Sequence, residues 1–412
     1  MTLIDADYLR GALEELSGIG YNGERGGYYR LAWSQNERQA HQWFRDKLQA
    51  LGLRVWTDGA GNSFGQWDAG NGPALAIGSH LDSVPSGGNY DGGLGVVSAL
   101  ATIKALRDHG CHPVRPIRVA AFTDEEGPRF GTGLLGSKAV AGLLDLDHLL
   151  VAKDAEGQSL ADAMAEYGFS LAGLDAVKNT RPEFFGYLEL HIEQGPRLEK
   201  DGLDIGVVTD ITGIAHLAVS FPGVANHAGT TPKEDRHSAL VAASHFIVSL
   251  EDFIAGRPQV VGTVGAIEVH PNAANVIPAM AVLRIDLRSP QEQELEAAMD
   301  WVREHARVVN PAAEATLYHY VPPAHLHAPW LPIIESVTDR LGYSHTRLVS
   351  WAGHDAGILS GVMPAAMIFV PSRAGISHAP EEWTAFDDVL GGAEVLAAAT
   401  RTISELIEEG RP

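Results

Sequence analysis

The segment PALAIGSHLD, residues 73–82, is apolar on both of its alternating faces as far as Gly78, and this limits the fold more than any other feature of the chain. A strand with two apolar faces is buried only when its sheet is covered on both sides, which is the condition of parallel α/β sheets. The neighbouring segments agree with that reading. NERQAHQWFRDKLQALG reads as an amphipathic helix with Ala40, Trp43, Phe44, Leu48 and Leu51 on one face and Gly52 as its stop. LRVWTD reads as a strand, GVVSALATIKALRDHG as a helix and IRVAAFTDEEG as a further strand. This alternation predicts an α/β fold on a mixed, mainly parallel sheet flanked by helices. In such sheets ligands gather beyond the carboxyl ends of the strands.

The middle of the chain changes pattern. DITGIAHLAVSF, VVGTVGAIEVH, MAVLRIDLRS and ATLYHYV read as strands, and DRHSALVAASHFIVSLEDFIA and PQEQELEAAMDWVREHARVV as helices. Their order, βαββαβ, predicts a small ferredoxin-like domain. A chain of 412 residues exceeds one core. The reading is therefore a larger domain over 1–210 and 327–412, interrupted by a smaller inserted one over 211–326.

Thirty Lys and Arg against 52 Asp and Glu give a net charge of −22, which repels phosphate backbones and anionic lipid. Neither nucleic acid nor a membrane is an expected partner. The longest apolar runs, such as AAMIFV, are too short to span a bilayer. MTLIDADYLR lacks the basic-then-apolar order of a signal peptide, and the single cysteine, Cys111, permits no intrachain disulfide. A reducing cytoplasm is the expected location.

Polar clusters follow Ile77 and Phe122 and lie within GYLELHIEQGP, each at the end of an expected strand. Five side chains there and near the C-terminus are candidate metal ligands: His80, Asp91, Glu126, His191 and His378. Mixed imidazole and carboxylate donors suit Zn, Mn, Co or Ni rather than Ca or Mg. Five exceed the three that one catalytic zinc takes from protein, and fit two ions sharing a bridging carboxylate. Asp91 has glycines beside it that permit close backbone approach, and Asp82 could orient the His80 imidazole. Glu125 stands beside Glu126; adjacent side chains diverge, so one can bind metal while the other faces the water to be activated as a general base. Taken singly, each of these residues reads more readily as a solvated turn or surface group; their joint position at strand ends carries the metal reading.

Other chemistries lack their signatures. No HExxH, CxxC, P-loop or dinucleotide fingerprint occurs. GISHA approaches a nucleophile elbow, but the only histidine after Ser377 is the adjacent His378.

Taken in order, RLAWS, GNSFG, GSHLDSV, YDGGLGV, DEEGPRF, LELHIEQGP, NHAGTTP, NVIP, DLRS, AGHDA and GISHAPEE resemble the hydantoinase/carbamoylase group of dinuclear zinc amidohydrolases, within the aminoacylase and carboxypeptidase superfamily. The resemblance implies two divalent ions, zinc first, with His80, Asp91 and His191 on one and Asp91, Glu126 and His378 on the other. It makes Glu125 the general base, Gln194 a group near the metals and His227 the oxyanion donor. Asn275 becomes a second polar contact and Arg288 the clamp on a substrate carboxylate. It also implies that the inserted domain acts as a lid and joins a homodimer, in which some relatives borrow the oxyanion histidine from the partner. His191 stands where peptidase members carry Asp or Glu, which points to the ureido- and amide-cleaving branch. Two departures carry expectations of their own. Ile214 replaces a frequent Gln and disfavours a very polar substrate, while Lys233 and Ser238 replace Met and Asp and put the capping of the following helix in doubt.

The reaction expected is hydrolysis of an N-carbamoyl-L-amino acid to amino acid, ammonia and carbon dioxide. Allantoate, a β-ureido acid, an N-acyl amino acid or a dipeptide are the alternative substrates. A non-catalytic metal-binding protein is the rival from another class, and the unliganded Glu125 argues against it.

Overall fold

The two-faced apolar run lies where its composition requires, inside a covered sheet. The computed structural model describes residues 4–406. In chain order their strands are β1 (Arg54–Thr57), β2 (Ser63–Trp67), β3 (Ala74–His80), β4 (Ile117–Phe122), β5 (Phe184–Ile192), β6 (Ile205–Ile211), β7 (Gly213–Pro222) and β8 (Asn226–His227). There follow β9 (Val261–His270), β10 (Val276–Ile277), β11 (Met280–Ser289), β12 (Glu314–Val321), β13 (Ala324–His325), β14 (His345–Ser350) and β15 (Ala365–Val370). They divide between two compact units, residues 4–209 with 325–406 and residues 210–324.

The larger unit holds a mixed sheet in the order β1-β2-β4-β3-β5-β15-β6-β13, with β14 also on β6. Its four central strands, β4, β3, β5 and β15, run parallel, and every residue in them is buried. β2 and β6 flank them antiparallel. The helix Gly93–Asp108 packs on β3 and β5, and the helix Phe386–Ser404 packs on it and on β15. Both are apolar almost all round, as helices inside a large core are. No described helix is long and apolar enough to cross a membrane.

The smaller unit is an antiparallel sheet in the order β12-β7-β11-β9. Alternate residues of β7 and β11, from Ala215 to Phe221 and from Ala281 to Leu287, bury one face against the helices Ala239–Ala255 and Glu292–Val309. The other face of β7 and β11 is only partly buried.

The structure corrects the sequence reading in two places. DITGIAHLAVSF is not one strand; its first residues end β6 and the rest form β7, with the buried Thr212 between two different sheets. The two compact units divide at 209/210 and 324/325, within two residues of the expected bounds. The helix expected from Asp235 starts at Ala239, where Ser238 caps it by accepting the Val241 N–H at 3.4 Å. Serine does the work of the absent Asp, so the cap is in place.

Candidate metal and active site

Five chain segments bring the site together at the carboxyl ends of the central parallel strands. His80 is the last residue of β3, and His191 stands one residue before the end of β5. Asp91 precedes the helix Gly93–Asp108, Glu126 lies in the loop after β4, and His378 lies in the loop after β15. The five form two clusters that share Asp91: His80, Asp91 and His191, then Asp91, Glu126 and His378. Each of the two Asp91 oxygens serves one cluster. Oδ1 lies 3.4 Å from His80 Nε2 and 3.0 Å from His191 Nε2, and Oδ2 lies 3.2 Å from His378 Nε2. The last nitrogen is also 3.2 Å from Glu126 Oε2.

Backbone carbonyls set the orientation of both buried imidazoles. His80 Nδ1 lies 3.2 Å from the Asp82 carbonyl oxygen, and His191 Nδ1 lies 2.9 Å from that of Ile192. With Nδ1–H donating to a carbonyl, Nε2 is the acceptor nitrogen, the usual state of a metal-binding histidine, and that of His191 accepts the Gly92 N–H at 3.3 Å. The loop after Asp91 must approach closely for this. A Cβ on Gly92 would fall 2.4 Å from His80 Cε1, and φ there is +63°. His378 covers the clusters on the solvent side, its side chain 48% exposed where the other four are nearly buried.

Asp82 does more than face His80. Its fully buried carboxylate accepts the backbone N–H of Glu125 at Oδ1 and of Glu126 at Oδ2, both at 3.1 Å. The two neighbouring glutamates are thus held at one buried anchor. Their side chains part: Glu126 turns to His378, while Glu125 Oε2 is 3.9 Å from His80 Nε2 and belongs to neither ligand cluster.

Charge explains the donor set. Burial, opposed by His80 and reinforced by Glu126 and Asp355, pushes the Glu125 carboxyl well above its ordinary range. Burial with the Asp91 charge pushes Glu126 up to about 8. Burial alone would lower His80 and His191, yet the carboxylates bonded to them raise both; the Asp91 bond chiefly lifts His378 to about 9. A cluster that binds protons this strongly offers the same lone pairs to cations. Glu126 Oε1 is buried without a hydrogen-bond partner among the described residues. A buried carboxylate oxygen without a donor is costly, and a divalent ion satisfies it. The donors therefore fit two ions bridged by Asp91.

Sequence reasoning placed Gln194 near the metals and missed several other neighbours. Gln194, read as a group near the metals, donates Nε2–H to Asp91 Oδ2 at 2.8 Å. Ser377 and Glu382 also meet Asp91, and a third cluster, Glu189, His191 and His354, packs behind it with the His354 ring 4.6 Å from that of His191. AGHDA and GISHAPEE were visible as motifs, but their contacts join residues more than 160 positions apart.

The smaller unit carries His227, Asn275 and Arg288. His227 lies on the two-residue β8, paired with β10, and the Asn275 carbonyl accepts the Ala228 N–H at 3.0 Å. The N–H groups of Gly229 and Thr230 both donate to His227 Nδ1, at 3.0 and 3.1 Å. Nδ1 is therefore the acceptor nitrogen, and the proton of this exposed residue sits on Nε2. Arg288 meets an internal carboxylate: Nε and Nη2 donate to the two oxygens of Asp286 at 3.0 Å each, and His216 adds a contact at 3.1 Å. Against its burial, these bonds hold the Asp286 carboxyl down at about 2.

A parallel α/β sheet with a carboxylate-bridged cluster at its carboxyl ends, and an uncoordinated carboxylate beside it, has the form of a metal-dependent hydrolase. The chain belongs to peptidase family M20/M25/M40, whose pattern matches residues 76–402, and within it to the hydantoinase/carbamoylase group of amidohydrolases. It is 37% identical to N-carbamoyl-L-amino acid amidohydrolase of Geobacillus stearothermophilus, over 96% of this chain and 97% of that one. It is 34% identical to ureidoglycolate hydrolase of Arabidopsis thaliana, over 97% and 87%. A hydantoinase/carbamoylase family amidase from Burkholderia multivorans superposes with a TM-score of 0.88 at 32% identity, covering 97% of this chain and 98% of that one.

Proposed function

We propose that this chain hydrolyses the ureido C–N bond of an N-carbamoyl-L-amino acid, with His80, Asp91, Glu126, His191 and His378 holding two divalent ions. The observation that carries the reading is Asp91, whose two oxygens face separate ligand clusters while Glu125 stands uncoordinated beside them. Two ions bound there would polarise the ureido carbonyl and acidify the attacking water. Glu125, whose proton affinity burial raises, takes the proton from that water and returns it to the departing nitrogen. His227 donates Nε2–H to the carbonyl oxygen as charge develops on it. Arg288, its fork already oriented by Asp286, takes the substrate carboxylate, with Asn275 as a further polar contact. The products are the free amino acid and carbamate, which breaks down to ammonia and carbon dioxide.

Ile214 supports an amino-acid substrate over a second ureido group. It pairs directly opposite Arg288 in the β7–β11 register, so the clamp has an aliphatic neighbour. Assembly as a homodimer through the smaller unit is part of the same proposal. It is supported by the exposed edge strand β9, with Val261 and Ile267, and by Val241 and Val248 on the adjoining helix.

A panel of carbamoyl, acyl and ureido acids, each assayed with Zn, Mn, Co and Ni, tests the reading. The expected result is fastest turnover of an apolar N-carbamoyl-L-amino acid, and a loss of at least about 10²-fold in kcat for Glu125→Gln with both ions still bound. Undiminished turnover by that variant removes Glu125 as the base. A metal-loaded protein that hydrolyses none of the panel rejects the enzyme reading.

A further inference from the structure

The ligands of the second cluster come from opposite ends of the chain, and one buried residue joins them. Glu382 is 5% exposed. Its Oε1 accepts the backbone N–H of Tyr90 at 2.8 Å and of Asp91 at 3.0 Å. Its Oε2 meets Ser377 Oγ at 2.8 Å, and that hydroxyl is 3.0 Å from Asp91 Oδ2. Asp91 is thus held at its backbone and at its side chain by one short stretch of the loop after β15.

That stretch behaves as a block. The Arg373 N–H donates to the Trp383 carbonyl at 2.9 Å, the Thr384 hydroxyl to that of Pro371 at 3.0 Å, and the Glu382 N–H to that of Ala379 at 3.1 Å. His378 lies inside this closed loop, so whatever seats the block also seats His378. The approach of Glu382 is tight: a Cβ on Gly88 would fall 2.0 Å from Glu382 Oε1. Only glycine at that position leaves room for the carboxylate beneath the Tyr90 and Asp91 amides.

We infer that Glu382 is a positioning residue of the metal centre: it docks the His378 loop on the Asp91 loop, and so sets the geometry in which Asp91 bridges two ions. Groups that orient metal ligands from behind typically contribute 10–100-fold to metal affinity. The inference rests on the proposed dinuclear site.

Titration of the ion-free protein with Mn2+, followed by calorimetry and by the electron paramagnetic resonance of a spin-coupled pair, tests it. The wild type is expected to bind two ions and show the coupled signal. Glu382→Ala is expected to lose about 10–100-fold in affinity for the second ion, together with the coupled signal. Glu382→Gln keeps an oxygen for the two amides and a donor for Ser377, and is expected to restore both to within about threefold. A folded Glu382→Ala protein with the wild-type signal and affinity overturns the inference. Where that variant does not fold, Ser377→Ala decides, since it cuts only the side-chain link; unchanged second-ion affinity there overturns it too. A wild type that binds no second ion overturns the dinuclear reading and this inference together, whereas two ions bound with wild-type affinity in every variant overturns this inference alone.

Discussion

Substituting Asp82 by Asn separates the anchoring of the two glutamates from their chemistry. In the wild type one fully buried carboxylate accepts two backbone N–H groups, those of Glu125 and Glu126, each at 3.1 Å. Asparagine offers one carbonyl oxygen. One amide therefore keeps its acceptor, and the other confronts an NH2 group. Leaving one buried donor unpaired costs about 1–3 kcal/mol. For a unit of this size that is a fall in Tm of roughly 2–10 °C. The chain can relieve the clash only by moving the loop that carries the base, and a displacement of the order of 1 Å costs about 10²-fold in rate. Thermal unfolding of the ion-free protein and steady-state kinetics of the loaded protein read the two effects separately. Glu125→Gln is the control: it is expected to match the rate loss without the loss of Tm. An Asp82→Asn protein with wild-type Tm and wild-type kcat would refute the idea that this carboxylate holds the base in place.

Acidity gives a second test. Glu126 is pushed up to about 8 by burial and Asp91, and His378 up to about 9 chiefly by its bond to Asp91. Both folded values lie above the ordinary ones, so both contributions are present at low pH and are lost as pH rises. The ion-free protein is expected to lose Tm between about pH 5 and pH 9, while metal affinity, which requires the same groups deprotonated, rises across that range; a flat Tm profile contradicts the charge assignment. Gly92→Ala places a methyl 2.4 Å from the His80 ring at a positive φ, and metal titration is expected to show at least a 10-fold loss at the His80, Asp91 and His191 cluster. In the smaller unit, His227→Ala is expected to lower kcat by about 10²–10³-fold. Arg288→Lys is expected to raise KM by about tenfold with little change in kcat, and kinetics with ion occupancy measured in parallel check both.

The larger fold was legible where physics acts locally. The run at 74–80 is apolar on both faces because both faces are covered, and each polar cluster interrupts such a run where its strand leaves the sheet. That is why the five candidate ligands could be picked out as a group, by their shared place at strand ends, and not one by one. The segment from Leu135 to Glu183 could not be read, because its helices are six or seven residues long, too short to establish a period. β2 was missed for a related reason: Gly65 and Gln66 break the alternation, and pairing with β1 and β4 makes it a strand. Glu382 lies 291 residues from Asp91, and nothing in its local sequence distinguishes it from the exposed Glu381 beside it. The pairing of Arg288 with Asp286 was concealed differently. Side chains two apart on a strand share a face, but only the sheet shows that this face stays open enough for charge.

Asp91 explains why the site needs so much support. A carboxylate that bridges two ions must present both oxygens in fixed directions, and a lone Asp in a glycine-rich loop has the freedom to present neither. Here His80 and His191 meet Oδ1, while Gln194, Ser377 and His378 meet Oδ2; Glu382 holds the backbone N–H. Asp91 and these six residues belong to the larger unit, whereas His227, Asn275 and Arg288 belong to the smaller. On the proposed reading, metal affinity and substrate recognition fall to different parts of the chain. On that division, changes around Asp91 act first on ion occupancy and through it on rate, and changes at the smaller unit's donors act on kcat or KM with both ions in place.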